Sequence, residues 1–145
     1  MSQHPKRLGI FGGSFDPPHL AHIALAQHAI AQFALDELRI IPTGDAWHKT
    51  RTLTASPHRL AMTRLAFAHL PQTVIDTREI DRLGASYTID TLQALHAEQP
   101  DAAFFLFIGA DQAQAFKTWH RWQDILCMAT VVVAARSLAN VKGEG

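Results

Sequence analysis

The alternation of short apolar runs with longer helical segments is the feature that most constrains how this chain can fold. Five apolar runs predict β-strands at residues 8–11, 38–41, 74–80, 103–108 and 130–135. Segments long enough to hold helices of about ten residues separate them, and parallel strands need crossover connections of that length. The pattern therefore predicts a parallel sheet.

Helical spacing of apolar residues predicts helices over 19–35, 88–98 and 119–128, and another that begins at Ser56-Pro57. The strand at 103–108 is apolar throughout, which is typical of a strand covered on both faces. We predict one α/β domain over residues 1–145. Its fold would be a Rossmann-like, doubly wound open parallel sheet of about five strands with helices on both faces. Such sheets bind ligands beyond the carboxyl ends of their strands, where the strand order reverses.

Charge and composition exclude several classes of function. Lys plus Arg and Asp plus Glu both number 13, so the formal net charge is zero, and we expect no binding to nucleic acid or to an anionic membrane. The only cysteine, Cys127, rules out an internal disulfide. The N-terminus lacks the apolar stretch of a signal peptide, and no apolar run approaches the ~20 residues that cross a bilayer. We therefore expect a cytoplasmic protein.

The segment after the first predicted strand carries the clearest chemistry. It reads GGSFDPPHLAH from Gly12 to His22. His19 and His22 are three residues apart, so they share one face of a helix's first turn, where free N–H groups favour phosphate. Transfer of a phosphoryl-type group needs mainly positioning and charge stabilisation. Each part alone has a plainer explanation: a glycine turn, surface or core histidines, or a zinc pair without its remaining ligands.

Together these residues resemble the nucleotidyltransferase superfamily signature G-G-[ST]-F-D-P-x-H-x-G-H, with Ala21 in place of its last glycine. Three further segments are similar to those of bacterial nicotinate-nucleotide adenylyltransferases. They are PHRLAM at 57–62, SYTIDTL at 86–92, and IGAD at 108–111 followed by TWHRW at 118–122. Apart from the resemblance, we expect Arg59 and Arg64 in the first of these segments to face solvent.

The resemblance implies roles for individual residues. Catalysis is expected from His19, His22 and Lys49. Residues expected to bind ATP are Gly12, Gly13, Ser14, Phe15, His19, His22, Gly109 and Asp111. Residues expected to bind nicotinate mononucleotide are Ser14, Phe15, His48, Lys49, Tyr87, Thr88, Trp119 and His120. Trp119 would stack on the pyridine ring, and Thr88 with nearby backbone amides would receive its carboxylate. Such donors pair poorly with a carboxamide NH₂ group, so the acid should be preferred over the amide.

The implied reaction joins ATP and nicotinate mononucleotide to give nicotinate adenine dinucleotide and pyrophosphate, a step of NAD biosynthesis. Mg²⁺ would be carried mainly by the ATP phosphates, and no protein metal site is expected. Two alternatives stay open. One is another adenylyltransferase of the superfamily, such as pantetheine-phosphate adenylyltransferase. The other is a nucleotide-binding module without catalysis.

The resemblance has one gap. The family carries a further S-[ST]-x-[IL]-R segment beyond the fifth strand, and residues 136–145 contain no match to it. That segment binds ATP phosphates in the family, and its absence from this sequence is the basis for the second alternative. Apolar surface that a missing helix would leave uncovered also predicts association into a homo-oligomer.

Overall fold

A computed structural model describes residues 5–13, 15, 17–44, 56–82 and 87–134. Five parallel strands form one sheet in the order β3-β2-β1-β4-β5. The strands are β1 (Arg7–Gly13), β2 (Glu37–Pro42), β3 (Thr73–Ile75), β4 (Ala103–Gly109) and β5 (Thr130–Ala134). The connections run outward from β1 in one direction to β3 and in the other to β5, so the order reverses between β1 and β4. The predicted fold class is confirmed, including the switch point at which such sheets bind ligands.

Within the described ranges, six helices connect the strands. They are α1 (Leu20–Gln32), α2 (Ser56–Phe67), α3 (Arg78–Asp81), α4 (Thr88–Glu98), α5 (Ala110–Gln114) and α6 (Trp122–Met128). A short 3₁₀ turn, Phe116–Thr118, lies between α5 and α6. Within the part of the chain described here, no helix is both long enough and apolar enough to span a membrane.

Alternation of side chains along the central strands builds a core on each face of the sheet. Along β4, Phe104, Leu106 and Ile108 pack on one face with buried residues of α4 and α6. Phe105 and Phe107 of the same strand pack on the other face with buried residues of α1 and α2. Helices therefore cover both faces, as the continuously apolar pattern of this strand predicts.

The third predicted strand was too long. Residues 74–80 were expected to be extended, but β3 ends at Ile75 and Arg78–Asp81 form α3. The cause is Asp76, whose carboxylate accepts a hydrogen bond from the Arg78 backbone N–H at 3.0 Å. Such a local bond offers the backbone an alternative to the strand ladder.

Two predicted helices were also too long. The first stops at Gln32, because Ala34 takes a left-handed conformation with φ of 51°. The helix predicted over 119–128 begins only at Trp122, since Arg121 is left-handed with φ of 53°. Non-glycine residues with positive φ interrupt helices and are hard to foresee from sequence.

Arg59 corrects another expectation. Its side chain was expected to face solvent with Arg64, yet Arg59 is completely buried, whereas Arg64 is exposed. The Arg59 Nη1 atom donates a hydrogen bond to the Thr43 carbonyl oxygen at 2.8 Å. A buried guanidinium is tolerated only when its donors are satisfied. Arg59 therefore attaches α2 to the chain that leaves β2.

Candidate active site

Strand pairing opens a crevice between β1 and β4. These strands pair only as far as Phe11 and Phe107, although each continues for two more residues. On its other side, β1 stays paired with β2 up to Gly13, whose carbonyl oxygen accepts a hydrogen bond from the Thr43 N–H at 2.9 Å. The Gly12-Gly13 backbone is thus held from one side and open to the crevice on the other.

His19 and His22 form a reciprocal capping pair at the start of α1. The Ala21 N–H donates to Nδ1 of His19 at 3.2 Å, and the His19 N–H donates to Nδ1 of His22 at 2.9 Å. Their ring centroids are 4.0 Å apart. The helix begins here because two of its free N–H groups find side-chain acceptors. The structure thus brings the two predicted histidines together.

The capping bonds determine where each imidazole carries its proton. Because each Nδ1 accepts a hydrogen bond, it is the Nε2 atom of each neutral ring that carries the proton and can donate. Burial, with the neighbouring His19 as a second cause, lowers the pKa of His22 to about 4. His22 is therefore a neutral hydrogen-bond donor near pH 7.

Phe15 supports this pair from beneath. Its side chain is 1% exposed, and its ring packs at 5.0 Å from the His22 ring and at 5.4 Å from the Phe11 ring. Its φ of 48° is unusual for a bulky residue, and strained backbone of this kind is concentrated at functional sites. Any ligand contact of Phe15 is left to its backbone, because its ring is enclosed.

A cavity of about 170 Å³ lies beside the crevice. It brings together four residues predicted for the site, namely Gly12, Gly13, Thr88 and Trp119. Four polar residues without a predicted binding role also line it: Thr43, Glu79, Thr91 and Gln112. Thr91 carried one usable signal, because it lies three residues after Thr88 on the same helical face. Glu79 was hidden in the segment wrongly predicted as a strand.

Four other predicted residues do not line this cavity but are adjacent in sequence to residues that do: Tyr87, Gly109, Asp111 and His120. Tyr87, the N-cap of α4, stacks with His120 at a ring-centroid distance of 4.7 Å. Trp119 packs at 5.1 Å from the Phe116 ring. Gly109 caps α5, where its N–H donates to Oε1 of Gln112 at 2.9 Å, and Asp111 lies in the first turn of that helix. Ser14, His48 and Lys49 fall outside the described residues.

Comparison with known proteins identifies the family. The family described as "Cytidylyltransferase-like" matches residues 10–144. A protein of Albidiferax ferrireducens named "Probable nicotinate-nucleotide adenylyltransferase" is 58% identical over 138 residues, covering 95% of this chain and 70% of that protein. A protein of the same name from Methylibium petroleiphilum is 46% identical over 131 residues, covering 90% of this chain and 62% of that protein.

A solved structure agrees in fold. Nicotinic acid mononucleotide adenylyltransferase of Plasmodium falciparum, complexed with NaAD, has a TM-score of 0.75 at 19% identity, covering 90% of this chain and 65% of that one. At that identity the likeness concerns the fold alone. The identity to the two sequence relatives is high enough to assign the enzyme family as well as the fold. The chain spans about two thirds of the length of those relatives. The chain belongs to the cytidylyltransferase-like family and, within that family's range of enzymes, to the nicotinate-nucleotide adenylyltransferases.

Proposed function

We propose that this chain transfers the adenylyl group of ATP to nicotinate mononucleotide, giving nicotinate adenine dinucleotide and pyrophosphate. The observation that carries the proposal is the capping pair of His19 and His22, whose rings lie 4.0 Å apart at the N-terminus of α1. That terminus follows β1 at the switch point of the sheet, where phosphate groups bind in folds of this kind.

In the proposed mechanism, a phosphate oxygen of nicotinate mononucleotide attacks the α-phosphorus of ATP in line. The bond from that phosphorus to the bridging oxygen breaks, and pyrophosphate leaves. The Nε2–H groups of His19 and His22 donate to phosphate oxygens and stabilise the charge that develops in the transition state. No covalent intermediate with the protein is needed. On the strength of the sequence resemblance, Lys49 and His48 are proposed to contact the phosphates, and Ser14 is proposed to line the cleft between the two substrates.

Magnesium enters this proposal as part of the substrate, MgATP. Within the described ranges, from residue 5 to residue 134 with their gaps, no group of three or more His, Cys, Asp or Glu side chains could hold a metal ion. A cation bound mainly by phosphate oxygens and water requires no such group. A cytoplasmic location and self-association stay predictions from the sequence.

The pyridine end of the mononucleotide is proposed to occupy the cavity beside the crevice. Trp119 supplies an aromatic face there, and Thr88 supplies a hydroxyl and a backbone N–H in the first turn of α4. Donors at a helix N-terminus favour an anionic group. The nicotinate carboxylate pairs with these Thr88 donors better than an uncharged amide, because it offers them two charged oxygen acceptors and the amide offers one neutral oxygen.

We expect kcat/KM for nicotinate mononucleotide to exceed that for nicotinamide mononucleotide by roughly 10- to 100-fold, since a mispaired buried polar group costs about 1–3 kcal/mol. The measurement is product analysis by chromatography with ATP and either mononucleotide. Phosphopantetheine serves as a third acceptor. Adenylylation of phosphopantetheine alone would favour the other superfamily enzyme. Binding of ATP in a calorimeter, without any product, would favour the non-catalytic module.

A further inference from the structure

Glu79 is a carboxylate in the proposed mononucleotide cavity that the mechanism above does not use. It lies on α3 and lines the cavity together with Thr88 and Trp119. The Thr91 hydroxyl donates a hydrogen bond to Oε2 of Glu79 at 2.8 Å. Thr91 itself is 2% exposed within α4, so this bond anchors the carboxylate to the rigid part of the fold.

The backbone that carries Glu79 is also held in place. Gly44, which follows β2, lies so close to α3 that a side-chain Cβ at that position would be 2.5 Å from the Glu79 carbonyl oxygen. Any other residue would force the two segments apart, because carbon atoms do not approach a carbonyl oxygen that closely. The backbone of Glu79 therefore packs directly against the chain that leaves β2, at a position where only glycine fits.

Hydrogen-bond accounting shows what this carboxylate could still accept. An ionised carboxylate offers about four acceptor positions. Among the described residues, Thr91 is the one hydrogen-bond donor to Glu79. Arg78 is near, but its guanidinium is bonded to Asp76 and Glu98. Burial raises the pKa of Glu79, and the Asp76 charge adds to that rise, while Thr91, Arg82 and Arg78 oppose it. The carboxylate thus lies in a place where further donors would stabilise it.

We propose that Glu79 accepts a hydrogen bond from a ribose hydroxyl of nicotinate mononucleotide and so binds that substrate. This inference rests on the proposed function. A ribose hydroxyl supplies the donor that the carboxylate lacks, whereas the pyridinium ring of the same substrate has no N–H to donate. ATP also carries ribose hydroxyls, but Thr88 and Trp119, which line the same cavity, place Glu79 on the mononucleotide side.

The test is a cycle of substrate and protein changes. The wild type, Glu79→Ala and Glu79→Gln are assayed with nicotinate mononucleotide and with its 2′-deoxy and 3′-deoxy analogues. The wild type should lose roughly 10- to 100-fold in kcat/KM on one of the two analogues, as expected for a hydrogen bond to a charged group. With the ribose substrate, Glu79→Ala should show a similar loss in kcat/KM, mainly through a higher KM. With the deoxy analogue that the wild type uses poorly, kcat/KM of Glu79→Ala should be no lower than with the ribose substrate.

Two outcomes overturn the proposal. If the losses from Glu79→Ala and from the missing hydroxyl multiply, Glu79 acts only by supporting Thr91. If Glu79→Ala instead abolishes discrimination between ATP and 2′-deoxy-ATP, the hydroxyl belongs to the other substrate. Glu79→Gln preserves the size of the side chain, so it replaces Glu79→Ala in the test if the alanine variant does not fold. It should show an intermediate loss, because its amide oxygen can still accept.

The matched control is Glu98→Gln. Glu98 is also a glutamate near Glu79's helix, because it forms an ion pair with Arg78 of α3. Its side chain, however, is 51% exposed and does not line the cavity. It should discriminate between the ribose and deoxy substrates as the wild type does. If the wild type forms no dinucleotide from the ribose substrate, the proposed function fails. The same cycle measured by calorimetric binding of the mononucleotides then tests Glu79 separately.

Discussion

Replacing His19 by asparagine is expected to lower kcat for dinucleotide formation by on the order of 100-fold or more while leaving α1 intact. Loss of one hydrogen-bond donor to transition-state charge typically has an effect of that size. Asparagine is a good N-cap residue, so it replaces the bond that His19 Nδ1 accepts from the Ala21 N–H. It does not replace the Nε2–H donor.

His19→Ala should lose the same activity and, in addition, about 1 kcal/mol of stability from the missing cap. Pyrophosphate release measures the rate, and thermal unfolding measures the stability. His28→Asn is the matched control, because His28 is exposed on the same helix and outside the capping pair. Turnover of His19→Asn close to that of the wild type would remove His19 from the mechanism.

The largest effect on stability is expected at Asp76. This residue is 7% exposed and is paired with both Arg39 at 2.8 Å and Arg78 at 2.9 Å. Removing one partner of a buried ion pair typically costs 3–5 kcal/mol, because the remaining charge is left without compensation. Arg39 keeps Glu37 and Arg78 keeps Glu98. We therefore expect Asp76→Ala to lower the free energy of unfolding by about 3 kcal/mol, the low end of that range.

The loss at Asp76 should depend on pH. Burial alone would raise the pKa of Asp76, but hydrogen bonds from Arg78 and Arg39 outweigh it and hold the pKa below its ordinary value. The stabilisation is thus fully present above the unfolded-state pKa, about 3.9, and is lost as the pH falls through the lower folded-state pKa. Urea unfolding from pH 7 down to pH 2 should show the difference in free energy of unfolding between the wild type and the variant shrinking once the pH falls below about 4.

Asp101→Ala is the control for this experiment, since Asp101 is an exposed turn residue before β4. It should change the free energy of unfolding by no more than about 0.5 kcal/mol. A difference between the wild type and Asp76→Ala that stays constant over the whole pH range would show that the lost stability comes from packing and not from ionic pairing.

Elements that depend on local chemistry were predictable from sequence. Ser56-Pro57 begins α2 as expected, and the apolar run at 103–108 lies within β4. Features that depend on a single side chain and its partner in the folded structure were not predictable. The end of β3 depends on Asp76, which binds the backbone of Arg78, and the late start of α6 depends on the left-handed Arg121. The burial of Arg59 needs the Thr43 carbonyl, which is 16 residues away.

The same distinction applies to the candidate site. The His19 and His22 pair was predictable because residues three apart meet at the first turn of a helix, here as the N-cap and N3 residues of a capping box. Glu79 and Gln112 were not, since they reach the cavity through the packing of α3 and α5 beside the sheet. Their types and spacing match no short motif. A cavity-lining residue of this kind becomes visible only when separate elements are brought to one place.

The uneven pairing of β1 bears on the energetics of substrate capture. One side of the Gly12-Gly13 backbone is bonded to β2 and to Thr43 before any nucleotide arrives. The groups proposed to face a phosphate are consequently pre-organised, and their conformational entropy has already been lost during folding. Less of the intrinsic binding energy is then consumed in ordering the protein, and more of it remains for aligning the two reactants.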